Sequence, residues 1–445
     1  MNASSILRRF AAASAFFALA LSALPASAAP LADPLAGDVN RSYVLLEETF
    51  FKDVDRQALV DAARAAVVEV AHKHGVRVSL PAVVASEDDR ATLAGLDADI
   101  SDAADAAHAP PTEFAYAAIA AMAKEVDDRW TTFMSPEEYK AFRDALDPQK
   151  ISGIGVLIAP DATSGFISIS YVVPGTPADR AGLQPGDLIT SVDGNTTKGL
   201  TNEAASKLLR GKAGSVVNLG TQRGTDAPSN VMIVRLDIQP PTVIYKMLPG
   251  NIGYIYVLAF GQDTPEQFDT AVQRLKDQDA KALVLDLRND GGGYVESALE
   301  ISSRFIAQRP LVTVQERGLP DKTYDAHSDV MVDVPVTVLV NEYTASASEI
   351  TAGALQDDGV AQLIGARTFG KGVMQTLTEL PDGAAIKITT AHYLTPNRHD
   401  INLKGIDPDV RVGENHDARF GDVAHDAQLR AAVDVLQKKI AVVKP

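Results

Sequence analysis

Residues 336–356, VTVLVNEYTASASEITAGALQ, constrain the fold more than any other stretch, because a buried strand there turns into a helix through small residues. Val336, Val338 and Val340 are β-branched at alternate positions, the mark of a buried strand. Thr344, Ala345, Ser346, Ala347 and Ser348 are all small, and from Ile350 the spacing of Ile350, Ala354 and Leu355 is helical. Small side chains at such a turn let another segment approach closely. Ser346 and Glu349 have capping-box spacing, which starts a helix without implying any chemistry. The same geometry sets a serine hydroxyl beside the unpaired N–H groups of a helix start, donors that stabilise an oxyanion when serine attacks a carbonyl. A base and a second oxyanion donor would separate the two readings.

At 445 residues the chain has room for two or three domains, and 46% hydrophobic content predicts globular structure. The formal charge is −17, which argues against a nucleic-acid partner. Residues 1–28 carry Arg8 and Arg9, an apolar run from Phe10 to Leu24 and the small triplet Ala26-Ser27-Ala28, the pattern of a secretory signal peptide. No other segment reads as a membrane span, so the mature chain is expected to be exported, most simply to the periplasm. Cysteine is absent, which excludes a disulfide framework and a thiol nucleophile.

Residues 29–147 read as an N-terminal helical region. The stretch from Arg41 to His74 is helical in pattern, with Leu59, Ala62, Ala63, Ala66, Val67 and Val70 on one face and Gly75 as a stop. His72 and His74 do not share a helix face, so metal binding there is rejected. Residues 85–111, rich in Ala and Asp and ending in Pro110-Pro111, read as an insertion or loop, part of an insertion near 75–111. Helix resumes at Thr112, and Ser135-Pro136-Glu137-Glu138 opens another with a cap, a first-turn proline and a box glutamate.

Residues 148–238 are rich in strands and turns. Pro177 to Leu183, then Pro185-Gly186-Asp187 and Val192-Asp193-Gly194, resemble the core of a PDZ domain. That resemblance implies peptide binding by strand addition, with backbone N–H groups near Gly153, Ile154 and Gly155 capturing a terminal carboxylate.

From Asn251 strands and helices alternate, as in an α/β domain, and residues 239–415 form one unit with a helical segment over 416–445. Strand 282–286, the loop Asp286 to Gly293 and the helix after it make an anion-holding turn, without the GxGxxG order of a dinucleotide site. Gly365 to Gly372 fits a phosphate loop as far as Lys371, then puts glycine where Mg²⁺ needs Ser or Thr and continues as strand. Lys371 is the better candidate for a base. A neutral amine at pH 7 requires its pKa to fall roughly 3 units from about 10.4, which burial or a nearby cation produces. No histidine lies in a motif that would supply a Ser-His-Asp triad, and no GxSxG elbow surrounds Ser346.

Taken together, Asp286-Leu287-Arg288 with Gly292-Gly293, Ser346-Ala347-Ser348-Glu349, Gly370-Lys371-Gly372 with Gln375, and Lys404-Gly405-Ile406 resemble the carboxyl-terminal processing peptidases, or tail-specific proteases. The resemblance covers most of residues 110–435. It implies a multidomain α/β fold in which a crotonase-like β/α protease core is interrupted by the PDZ domain. It implies further that Ser346 is the nucleophile, Lys371 the general base, Gln375 the residue that orients it, and the N–H groups of Gly292 and Ala347 the oxyanion hole. Ser348 is expected to be structural. Asp290-Gly291 departs from the Asn-Pro more frequent in the family. The expected activity is cleavage of proteins with apolar free C-termini by an acyl-enzyme route, with no cofactor and no metal. A homo-oligomer and an adaptor protein stay open as partners. The competing reading is a PDZ scaffold that binds peptides and cuts none.

Overall fold

The computed structural model describes residues 17–19, 34–86, 89–147, 150–327, 329–413 and 420–443. The expected leader therefore lies outside the described residues, apart from Phe17–Leu19, which run parallel beside Gly292–Tyr294.

The N-terminal region is helical: α1 (Pro34–Thr49), α2 (Arg56–Lys73), α3 (Asp89–Ala107), α4 (Pro111–Glu125), the short strand β1 (Thr132–Met134) and α5 (Pro136–Leu146). Two expectations are corrected here. The helical pattern of 41–74 is two helices, because Asp55 caps the second by accepting from the N–H groups of Gln57 and Ala58. Residues 85–111 are not loop: α3 buries Thr92, Leu96, Ile100, Ala103 and Ala104, a 3–4 spacing that the high alanine content masks. Its buried Asp99 accepts from Arg64 of α2 at 2.6 Å. Ser135 does cap α5, with the reciprocal Glu138 carboxylate 2.9 Å from the Ser135 N–H.

Next come β2 (Ile151–Gly153), β3 (Val156–Pro160), β4 (Ile167–Val172), α6 (Pro177–Arg180), β5 (Leu188–Val192), β6 (Asn195–Thr196), α7 (Asn202–Leu209), β7 (Val216–Gln222), β8 (Ser229–Val234) and β9 (Leu236–Ile238). Six of these strands form an antiparallel sheet, five in the order β3-β4-β5-β7-β8 with β6 paired to β5, which leaves β3 at one edge. Ile154, Ile169, Ile189, Val217 and Leu219 fill its core.

The remaining chain supplies β10 (Val243–Leu248), β11 (Ile252–Val257), α8 (Thr264–Asp277), β12 (Ala282–Asp286), β13 (Gly292–Tyr294), α9 (Val295–Ser303), β14 (Pro310–Glu316), β15 (Lys322–Asp325), β16 (Val336–Val340), α10 (Ala347–Asp357), β17 (Ala361–Gly365), β18 (Val373–Glu379), β19 (Ala385–Leu394), β20 (Val410–Arg411) and α11 (Ala427–Val443). Its central sheet runs β10-β11-β12-β16-β17-β20, parallel from β11 onward. Alternation within its strands covers both faces: Leu283 and Leu285 pack with Phe268, Leu299 and Ile350, and Ala282 and Val284 pack with Leu429 and Leu436 of α11. Tyr171 of the PDZ region joins the second group, its ring edge-on to Phe420 at 5.9 Å. A second, antiparallel sheet carries β18, β19, β14 and β15, with β1 paired to β19. The candidate residues lie where these two sheets meet.

Candidate active site

Ser346 is the N-cap of α10, at φ 62° and ψ −120°, a conformation rare for any residue with a Cβ. Capping is only half realised there. Glu349 accepts from the Ser346 N–H at 3.0 Å, but the Glu349 N–H goes to the Ser346 carbonyl at 2.8 Å. The Ser346 hydroxyl is therefore fully buried with no hydrogen-bond partner among the described residues. An unsatisfied buried hydroxyl costs about 1–3 kcal/mol, a cost that structure alone does not explain.

Lys371 is also fully buried, in the turn before β18. Its amine stands 4.7 Å from the ring of Trp130, which also meets the Arg129 guanidinium at 4.3 Å and the Phe369 ring at 5.8 Å. Burial first, and the positive charge of Lys387 second, hold the Lys371 pKa well below the ordinary lysine range; Glu349 and Asp128 oppose that shift. Gly370 and Gly372 do permit close packing: a Cβ at Gly370 would come 2.7 Å from the Gly405 nitrogen, and one at Gly372 2.6 Å from the Asn402 nitrogen.

Two residues join serine and lysine. The buried Glu349 carboxylate accepts from the N–H groups of Ser346, Gly370 and Lys371 and from the Thr368 hydroxyl, at 3.0, 2.8, 2.8 and 2.5 Å. Desolvation raises its pKa against those four donors. The Tyr393 hydroxyl lies 2.7 Å from the Lys371 carbonyl and 3.1 Å from that of Ser346. The sequence marks Glu349 as a capping residue and part of a family-like motif and gives Tyr393 no role, since Thr368, Gly370 and Lys371 lie 19 to 22 residues from Glu349, and Lys371 and Ser346 lie 22 and 47 from Tyr393.

The glycine loop is tied to the serine turn. Asp290 O accepts from the Ala345 N–H and the Ser348 hydroxyl, both at 3.0 Å, so Ser348 is occupied structurally. Asn341 and Asn289 exchange hydrogen bonds of 3.0 and 3.1 Å. A Cβ on Gly292, at φ 96°, would lie 2.9 Å from the Ser346 Cβ. In this conformation the Gly292 N–H donates to Asp290 Oδ1 at 2.8 Å, while the Ala347 N–H is the first donor of α10. Asp290 is buried, its pKa raised well above the carboxylate range by desolvation. Gln375 is buried; its amide donates to Trp130 O at 2.5 Å and its oxygen has no partner among the described residues.

The Asp286-Leu287-Arg288 motif has a structural part. Arg288 binds Asp286 at 2.6 Å and Asp426 at 2.8 Å, fastening the loop to the start of α11. In the PDZ region, Gly153 ends β2, Ile154 is buried, and Gly155 at φ 89° leads into the edge strand β3, with α7 facing it. No group of residues suited to a metal ion occurs among the described residues.

Fold and site together define a serine-type peptidase with an inserted PDZ domain. Residues 251–412 match the model of peptidase family S41, and residues 168–223 match a PDZ model. The chain is 37% identical over 335 residues to a carboxyl-terminal-processing protease of Picosynechococcus sp., covering 74% of this chain and 80% of that one. A carboxyl-terminal-processing protease of Synechocystis sp. is 35% identical over 337 residues, covering 74% and 78%. A solved structure from Bacteroides fragilis NCTC 9343, assigned to the S41 proteases, shares the fold at TM-score 0.50 and 16% identity, covering 94% of this chain and 100% of that one. This chain belongs to the carboxyl-terminal-processing protease family.

Proposed function

We propose that the protein is an exported endopeptidase that takes substrate tails at its PDZ domain and cuts them with a Ser346–Lys371 dyad. One observation carries this reading: Glu349 and Tyr393 each bind both Ser346 and Lys371, an arrangement that a binding module has no use for. Neutral Lys371 accepts the Ser346 proton as Oγ attacks the scissile carbonyl. The Ala347 N–H meets the oxyanion, and the Gly292 N–H joins it once drawn away from Asp290. Each such donor is worth ~10²–10³ in rate. The lysine then returns its proton to the leaving amine, and water releases the acyl-enzyme. Gln375 orients the lysine through its free oxygen. A tail adds to the open edge of β3, its carboxylate at Gly153 to Gly155. The leader pattern supports a periplasmic location, and no described helix is long and apolar enough to cross a membrane.

Mass spectrometry of a flexible protein with an apolar C-terminus, incubated with wild-type or Ser346→Ala enzyme, tests this. Cleavage by wild type alone is expected. Cleavage by both sinks Ser346 as nucleophile, and binding without cleavage by either favours the scaffold.

A further inference from the structure

We propose that Lys387 is a positioning residue for the peptidase reaction, a second buried amine that acts on Lys371 through its charge. The proposal rests on the reading of Lys371 as base.

Lys387 sits mid-sheet on β19, paired with Leu377 on one side and Thr132 on the other, and only 6% of it is exposed. The register sets Gln375 opposite Thr389, two residues along from Lys387 and so on its face of the sheet. One segment, residues 128–131, lies across that face. Asp128 accepts from the Thr389 hydroxyl at 2.5 Å, Thr131 Oγ1 from the Thr389 N–H at 3.1 Å, and Trp130 O from the Gln375 amide at 2.5 Å. The same segment presents the Trp130 ring to the Lys371 amine at 4.7 Å, while Lys387 has the Phe142 ring of α5 at 5.6 Å. The covering segment thus reaches both the Lys371 amine and the strand that carries Lys387, and each buried amine faces an aromatic ring.

The charges that act on Lys371 are Lys387, Glu349 from α10, and Asp128 and Arg129 from the covering segment, and Asp128 acts on Lys387 as well. Asp128 already accepts three hydrogen bonds, from Thr131 N–H, Thr131 hydroxyl and Thr389 hydroxyl, and Glu349 accepts four. Neither carboxylate is held for a lysine alone. Burial brings the Lys387 pKa to about 7 with Asp128 opposing, and its charge is the second largest cause of the depressed Lys371 value. Two amines coupled in this way titrate as a pair, and a proton on one favours its absence on the other.

The test combines kcat/KM against pH on a peptide substrate with fluorescence of Trp130, the one tryptophan in the chain. Lys387→Met should move the acidic limb of kcat/KM upward by about one pH unit, an approximately tenfold loss below the limb, with the plateau kept. Lys387→Gln should do the same, and Lys387→Arg should hold the wild-type limb. Trp130 fluorescence should show a transition that moves in parallel and vanishes in Lys371→Met, whether or not the preparation cuts peptide. A uniform loss at every pH in Lys387→Met, or Lys387→Arg behaving like Lys387→Met, overturns the proposal. A Trp130 transition that survives Lys371→Met overturns Lys371 as the titrating base and this proposal with it.

Discussion

Glu349 shows how one carboxylate can organise a site it takes no chemical part in. Its four donors come from the serine turn and from the lysine turn, so Glu349→Ala strands three backbone N–H groups and a hydroxyl in a dry interior. Hydrogen bonds to a charged acceptor contribute about 1.5–3 kcal/mol each, which makes a loss of at least ~3 kcal/mol in urea denaturation the expected outcome, together with loss of hydrolysis. Gly292→Ala should inactivate with a smaller loss of stability, because its Cβ would strike the Ser346 turn. Activity within twofold of wild type would refute the close approach described here. Local spacing made the Ser346–Glu349 pair legible in the sequence, and small residues announced that something comes near. What comes near was not legible locally: Thr368, Gly370 and Tyr393 reach the pair only through the sheet topology. The glycine-flanked motif already offered Lys371 as the base and the family resemblance agreed, but neither route disclosed that Asp290 engages the Gly292 N–H.

At the scale of elements, patterns of period 2 and 3.6 served well where apolar residues were large. Strands β12 and β16 and the helix after the glycine loop are legible because Val, Leu and Ile mark their buried faces. Helix α3 was missed because alanine carries no face of its own, and α1 and α2 were fused because the break at Phe50–Asp55 holds neither glycine nor proline. The loop entering β3 offers a test. Gly155 has φ 89°, and a Cβ there would stand 2.2 Å from the Thr176 hydroxyl, whose proton goes to Val173 O at 2.6 Å. Gly155→Ala should weaken binding of a free C-terminal peptide at least tenfold by calorimetry, while a short internal peptide is still cut at a similar rate. Equal loss of both activities would mean that the loop serves the protease core.

Across the whole molecule, the glycine loop is anchored to a helix 138 residues away. Arg288 bridges Asp286 and Asp426, and Tyr254 donates to Asp286 at 2.6 Å. Arg288→Ala should cost about 3–5 kcal/mol, since it leaves two buried carboxylates without their cation. Arg288→Lys should rescue only part, a point charge replacing a fork. Lys387 contributes to the pH response of the fold. Lys387 has a pKa near 7 when folded and about 10.4 when unfolded, so between those values the unfolded chain holds a proton that the folded chain lacks. Stability therefore rises with pH across that window and is lost as pH falls toward 7. Urea midpoints should be higher at pH 9 than at pH 7, with the difference diminished in Lys387→Met.

The backbone of Ser346 adds an opposite tendency. A residue with a Cβ held at φ 62° and ψ −120° costs of order 1–3 kcal/mol, and glycine would adopt that shape with little strain. Ser346→Gly should therefore be inert yet melt above both wild type and Ser346→Ala. The backbone thus places a thermal cost on any side chain at 346, and the gap in melting temperature between Ser346→Gly and Ser346→Ala measures it.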